Sequence, residues 1–194
     1  MSYDLPGVQI ALIRHATTQW NEKRLIQGWQ NSPLSASGRQ QALKWAESLS
    51  AYSFKRILSS DLGRARDTAQ LINSRLGLAL YEDKGLRERC FGELEGKPVW
   101  SWQGSEDKRE RPPGGECRKE VLQRVIKTLL QQQARGGALL VVTHYGVLEC
   151  LLHYLAGPAH PRKNGRLLKS PRLHWLGINN RALGIIELNQ HLEP

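Results

Sequence analysis

The sequence predicts an α/β protein, a three-layer α/β/α sandwich around a mostly parallel central sheet. Three observations carry this. Short, apolar, β-branched runs alternate with stretches of helical periodicity along the chain. The runs "VQIALI" (8–13) and "ALLVVT" (138–143) are apolar almost throughout, as strands covered on both faces are. Both then deliver a histidine, Arg14-His15 after the first and His144 after the second, and in such sheets ligands bind beyond the carboxyl ends of strands.

Taken in order, 8–13 is the first strand. A helix is expected from Ser37, with Ala42, Trp45, Ala46 and Leu49 at helical spacing. "KRILSS" (55–60) is a short strand. Ala65, Ala69, Ile72 and Leu76 mark the next helix, which Ser60 or Asp61 can cap and Gly77 can stop. "LALYE" (78–82) is a further strand candidate. The stretch 84–116, rich in Gly, Pro, charge and Trp, reads as a long surface excursion, and such loops are usually functional. A helix from about Arg118 gathers Val121, Leu122, Val125, Ile126 and Leu129 on one face. The central strand 138–143 leads to a buried helix over 147–156, ended by "GP", and "ALGIIELN" (182–189) is the closing strand.

With 194 residues the chain suits one domain, read as 1–194 with a short cap insertion around 84–116. No run approaches the roughly 20 apolar residues that span a bilayer, so no membrane partner is expected. The N-terminus lacks the pattern of a signal peptide. Cys90, Cys117 and Cys150 are odd in number, widely spaced and outside CxxC pairs. Neither a disulfide framework nor structural zinc is expected, and the cytoplasm is the implied compartment. Cys90 reads as a plain thiol rather than a redox switch.

The net charge of +10 suits an anionic small substrate, nucleic acid, or simple solubility. The basic cluster "RKNGRLLKSPR" (162–172) carries Gly and Pro and reads as an exposed loop. Aromatics do not interleave with it as a single-strand-binding surface prefers, so nucleic acid is not the expected partner. A small phosphorylated substrate is. Oligomeric state stays open, a homodimer included.

A phosphomonoester dianion needs several fixed donors, preferably guanidinium forks, and a helix N-terminus helps. Arg14 offers one fork at a strand end. Arg64, in "SSDLGRARDTA", offers another at the first turn of a helix, and His144 precedes a further helix. Cationic neighbours and helix N-termini lower a histidine's pKa, which would keep His15 neutral. A neutral imidazole can attack phosphorus and form a phosphohistidine. Arg14, Arg64 and His144 would then stabilise the charge spread over the equatorial oxygens. Glu88, in "GLRERCFGELEG", is the candidate acid and base, with Glu93 and Glu95 as nearby competitors. His153, inside an apolar helical stretch, reads as a satisfied core or helix-face histidine, and His160, His174 and His191 have no partner motif and read as structural or exposed.

In this order and at these spacings, "LIRHATTQWN", "QGWQNSPLSASGRQQA", "SSDLGRARDTA", "LRERCFGELEG", "PPGGE" and "VVTHYGV" resemble the histidine phosphatase superfamily, the phosphoglycerate-mutase-like enzymes. The resemblance covers about residues 9 to 150 and the closing strand. It implies His15 as the phosphorylated nucleophile, Arg14, Arg64 and His144 as the phosphate pocket, and Glu88 as acid and base. It also suggests that Asn21 and Gln27 contact the phosphate or the nearby substrate, although both could simply make loop caps. No metal and no organic cofactor is expected. The sequence departs from the family's common pattern at Ala16, Thr17, Asn31, Cys117 and Tyr145, and Tyr145 would border the substrate with a phenol ring. These changes remove no chemical group; they bear on substrate choice.

Only 15 residues, 97–111, separate "FGELEG" from "PPGGE", and a short segment excludes water less completely than the long covering insertion of a mutase. The reading is therefore a phosphomonoester hydrolase for a sugar phosphate, a phosphoglycerate derivative or an α-ribazole phosphate. A phosphoglycerate mutase and a non-catalytic phosphate-binding module are the alternatives. Lys97, Lys108, Arg109 and Arg111 suggest room for a second anionic group. Trp100 and Trp102 could line the opening or fill the core beneath the loop, and Trp20 and Trp29 read as flanking the phosphate loop, with packing as the alternative.

Overall fold

Six strands form one sheet in the order β3-β2-β4-β1-β5-β6. They are β1 (Val8–Arg14), β2 (Arg56–Ser59), β3 (Ala79–Glu82), β4 (Leu139–Thr143), β5 (Arg172–Asn179) and β6 (Ala182–His191). The helices are α1 (Gln19–Glu22), α2 (Ala36–Leu49), α3 (Gly63–Leu76), α4 (Arg118–Leu130) and α5 (Tyr145–Ala156). This computed structural model describes residues 8–102, 111–157, 172–179 and 182–192. β1 to β4 run parallel to one another, while β5 pairs antiparallel with both β1 and β6.

The apolar runs form central strands because successive side chains serve two cores. In β1, Ile10 and Leu12 join the core under α4 and α5, whereas Ala11 and Ile13 join the core under α2 and α3. β4 divides in the same way, Leu139 and Val141 against Leu140 and Val142. Two helices therefore cover each face, the three layers expected from the sequence. Among the described residues no helix is long and apolar enough to cross a membrane.

Two expectations need correction, and a third falls only partly within the described residues. The N-cap of α3 is Leu62, which makes no side-chain cap bond. The helix's first donors are met from elsewhere: Ser60 Oγ accepts the Leu62 N–H at 3.3 Å, and Asn31 Oδ1 accepts the Arg64 N–H at 3.0 Å. Asp61 does not cap; it forks with Arg87, which holds its carboxyl below the usual carboxylate range. β5 was not foreseen. Its apolar run is broken by His174 and Gly177, yet Leu173 and Trp175 pack into one core and Leu176 and Ile178 into the other. The basic segment read as a loop ends inside this strand at Arg172; its other residues lie outside the described ones.

Candidate active site

β1 and β4 are parallel neighbours, paired up to Arg14 opposite Thr143, and the His15 N–H donates to the Thr143 carbonyl at 2.8 Å. Beyond this last bond the chains part. β1 leads toward the layer of α2 and α3, and β4 enters α5 on the other face. That divergence is where an α/β sheet opens a crevice. The two histidine rings stand in it, 5.1 Å apart and tilted by 58°.

His15 is buried, and its Nδ1 lies 2.8 Å from the Ala16 carbonyl. A carbonyl can only accept, so Nδ1 carries the proton and Nε2 keeps its lone pair. The Arg64 Nε–H donates to that Nε2 at 3.3 Å. Burial, then the Arg64 and Arg14 guanidiniums, hold the imidazole well below its ordinary value. His144 is held down in the same way, by burial first and then by Arg64, His15 and Arg14.

Neutral buried imidazoles set a pH signature. Below the unfolded value of about 6.5 the unfolded chain binds protons that His15 and His144 decline. Stability from this source is complete above that pH and falls as the pH drops toward the folded values. The expected slope reaches about 1.4 kcal/mol per pH unit for each histidine. Urea unfolding at about pH 7.5 and about pH 5.5 measures it, and equal stability at both would contradict neutral burial.

Arg64 is fully buried at the start of α3. Its Nη1 donates to the Gln30 carbonyl at 2.9 Å and its Nη2 to the Gly28 carbonyl at 2.7 Å. With Nε on His15, three of five guanidinium donors are committed and two remain for a ligand. Burial lowers its pKa to about 10, so it stays cationic at neutral pH. Gly28 is required here: its φ is +52°, and a Cβ would lie 2.0 Å from Glu95 Oε1. Glu95 braces the backbone, accepting from Trp29 N and Phe91 N through Oε1 and from Gln30 N through Oε2, each at 2.9 Å.

Glu88 follows the helical turn at 84–86 and is buried. Its Oε1 accepts the Arg89 N–H at 2.9 Å, and its Oε2 accepts the Gly146 N–H at 3.2 Å, at the first turn of α5. Of the competitors, Glu95 is tied up as a brace and Glu93 is exposed. A Cβ on Gly146 would meet Glu88 Oε1 at 2.4 Å. Gly146→Ala should therefore displace the Glu88 carboxylate and lower kcat/KM about 10²-fold, the size of a lost acid–base contribution. Inhibition by inorganic phosphate checks that the anion site itself survives.

The remaining sequence candidates spread further. Arg14 lies below its ordinary pKa through burial, its Nε has no partner among the described residues, and its guanidinium sits over the Tyr145 ring at 5.8 Å. Both His144 ring nitrogens and the buried Gln27 Oε1 are likewise without a partner among the described residues. Buried polar atoms of this kind are satisfied by water or by a ligand's polar groups. Asn21 closes a capping box on α1, its Oδ1 accepting the Thr18 N–H at 3.1 Å. Of the cap cations, Arg111 pairs with Glu120, and Lys108 and Arg109 lie outside the described residues. His174 is buried in β5, and His160 lies outside the described residues. Burial pushes the Cys90 thiol up, and that of Cys150 up to about 12, which fits unreactive thiols. Among the described residues no three or more His, Cys, Asp or Glu are grouped to hold a metal ion.

The sequence reading missed the supports: the Gly28 and Gln30 carbonyls under Arg64, the Glu95 brace, the Asn31 cap, and Trp29, whose Nε1–H donates to the Glu88 carbonyl at 2.8 Å. Each joins segments tens of residues apart, and only Gly28, in a Gly-Trp loop, carries a local signal.

Known proteins resemble this chain throughout. The sequence model of the histidine phosphatase superfamily (branch 1) matches residues 10–190. A Salmonella choleraesuis protein named "probable phosphoglycerate mutase GpmB" is 37% identical over 173 residues, 82% of this chain and 80% of that one. The mycobacterial glucosyl-3-phosphoglycerate phosphatase superposes with a TM-score of 0.79 at 28% identity, covering 93% of this chain and 98% of its own. The α-ribazole phosphatase of Shigella flexneri does so with a TM-score of 0.74 at 26% identity, covering 94% and 96%.

Proposed function

Because the chain belongs to the histidine phosphatase superfamily, we propose that it hydrolyses a small phosphomonoester through a phosphohistidine on His15. The observation that carries this reading is the state of one atom. His15 Nε2 keeps its lone pair because Nδ1 is committed to the Ala16 carbonyl, and Arg64 lies against it.

In the first step His15 Nε2 attacks phosphorus and the P–O bond to the leaving group breaks. Glu88 gives its proton to the departing oxygen. Arg14, the two remaining donors of Arg64, and His144 hold the equatorial oxygens where negative charge collects. In the second step water attacks the phosphohistidine, Glu88 takes its proton, and the P–N bond breaks to release phosphate and restore neutral His15. Gln27 Oε1 and the amide nitrogen of Asn21 are assigned to the substrate side, and Tyr145 borders it. Every group the protein contributes to this cycle is a side chain, so turnover is expected in the presence of a chelator.

The names of similar proteins favour two classes. Phosphatases of a glucosylated phosphoglycerate and of α-ribazole phosphate support hydrolysis of a phosphorylated metabolite, while the Salmonella relative's name favours phosphoglycerate mutase. The short 84–116 segment tips the choice to hydrolysis. Phosphate release from p-nitrophenyl phosphate and from a panel of sugar phosphates, phosphoglycerates and nucleotide-like esters, with EDTA present, tests it. Interconversion of phosphoglycerates with negligible phosphate release would reverse the assignment to a mutase.

A further inference from the structure

Arg124, in the middle of α4, holds the backbone that carries Glu88. All five of its donors are placed. Nε donates to Glu116 Oε1 at 2.9 Å; Nη1 donates to the Gly85 carbonyl at 2.9 Å and the Arg87 carbonyl at 2.6 Å; Nη2 donates to the Glu88 carbonyl and to Glu116 Oε2, both at 2.9 Å. Thr143 Oγ1, on β4, takes the one carbonyl Arg124 leaves out, Leu86, at 2.9 Å. Four consecutive carbonyls, 85 to 88, are therefore fixed by side chains, three of them by one guanidinium.

Glu116 completes the device. Its Oε2 also accepts the Cys90 N–H at 2.8 Å, so the same ion pair grips the chain on both sides of Glu88. The pair is nearly buried, its side chains 19% and 17% exposed, and a planar fork with every donor used defines direction as well as distance. A partly buried guanidinium is costly as filler and suits a site where geometry matters. Glu116 offsets the Arg124 charge at close range, although that charge is still among the effects that hold the His144 imidazole down.

The geometry points to Arg124 and Glu116 as positioning residues that aim the Glu88 carboxylate at the leaving-group oxygen. This rests on the reading of Glu88 as the general acid. It predicts that loosening the clamp harms proton delivery more than phosphate binding or nucleophilic attack.

The test compares kcat/KM for p-nitrophenyl phosphate, whose leaving group needs little protonation, with that for an alkyl phosphate such as glycerol phosphate. Glu88→Gln, Arg124→Lys, Glu116→Gln and the double variant Glu88→Gln/Arg124→Lys are measured. Arg124→Lys should lower the alkyl value at least about tenfold more than the aryl value. Its effect should vanish in the Glu88→Gln background, because residues acting through one group are non-additive. Glu116→Gln, the milder change, should give the same pattern and decides the matter if Arg124→Lys fails to fold. Equal losses on both substrates, or additive losses in the double variant, would overturn the positioning role. If Glu88→Gln discriminates between the substrates and the clamp variants do not, Glu88 remains the acid and only the clamp's role falls. If Glu88→Gln itself shows no discrimination, the acid assignment falls and the clamp's role with it.

Discussion

Replacement of His15 by alanine is expected to abolish the phosphoenzyme and to lower turnover by more than about 10⁴-fold, as loss of a nucleophile does in enzymes with a covalent intermediate. Brief incubation with a radiolabelled substrate, followed by quenching, checks it. The native chain should acquire an acid-labile, base-stable label, and His15→Ala should acquire none. The control that matters is His144→Ala. Its imidazole is also buried, its pKa is held down, and it lies only 5.1 Å from that of His15, so it is a neighbour chemically able to act as nucleophile in its place. His144→Ala should slow the reaction yet still label. Labelling that survives in His15→Ala and disappears in His144→Ala would exchange the two roles. Tight phosphate binding with no label in any form would leave a binding module.

The second large effect is at Arg64. Arg64→Met should lower kcat/KM by about 10³-fold, the lower end of what a guanidinium on a transferring phosphoryl group contributes. It should also shift the acid limb of the kcat/KM profile to higher pH. Arg64 is the largest charge effect depressing the His15 pKa, and removing the cation lets that pKa rise, so the active neutral form is lost sooner on acidification. Arg64→Lys separates the two consequences. A lysine keeps the cation, and with it the limb, but cannot span the Gly28 carbonyl, the Gln30 carbonyl and His15 Nε2 while binding phosphate. An unmoved limb in Arg64→Met would mean that burial and Arg14 suffice to keep His15 neutral.

What could be read from the sequence follows from what each feature depends on. β1 and β4 were legible because central strands bury both faces and so spell apolar runs. The pairing of His15 with His144 was legible because parallel strands with like endings deliver their next residues to one edge. α2 and α4 showed themselves through period. β5 did not, since His174 and Gly177 interrupt its run although both faces are covered. The cap of α3 was illegible for another reason: Asn31 reaches Arg64 across a loop, and no local pattern encodes such a contact. The supports of Arg64 and Glu88 are of this kind as well. Gly28, Gln30, Trp29, Glu95, Glu116 and Arg124 are ordinary loop and helix residues until folding brings them together.

The strand order has a consequence for how this protein comes into being on the ribosome. β1 is made first, yet neither of its neighbours exists until the chain has passed residue 138, because β4 inserts between β1 and β2 and β5 arrives later still. Until then an apolar ribbon, Ile10 to Ile13, waits with both edges open, the situation in which nascent chains aggregate or recruit chaperones. Local pieces such as β2-α3-β3 can settle early. The two imidazoles meet only when the sheet closes, so catalytic competence is a late acquisition, and a chain interrupted before β4 has no partial version of it.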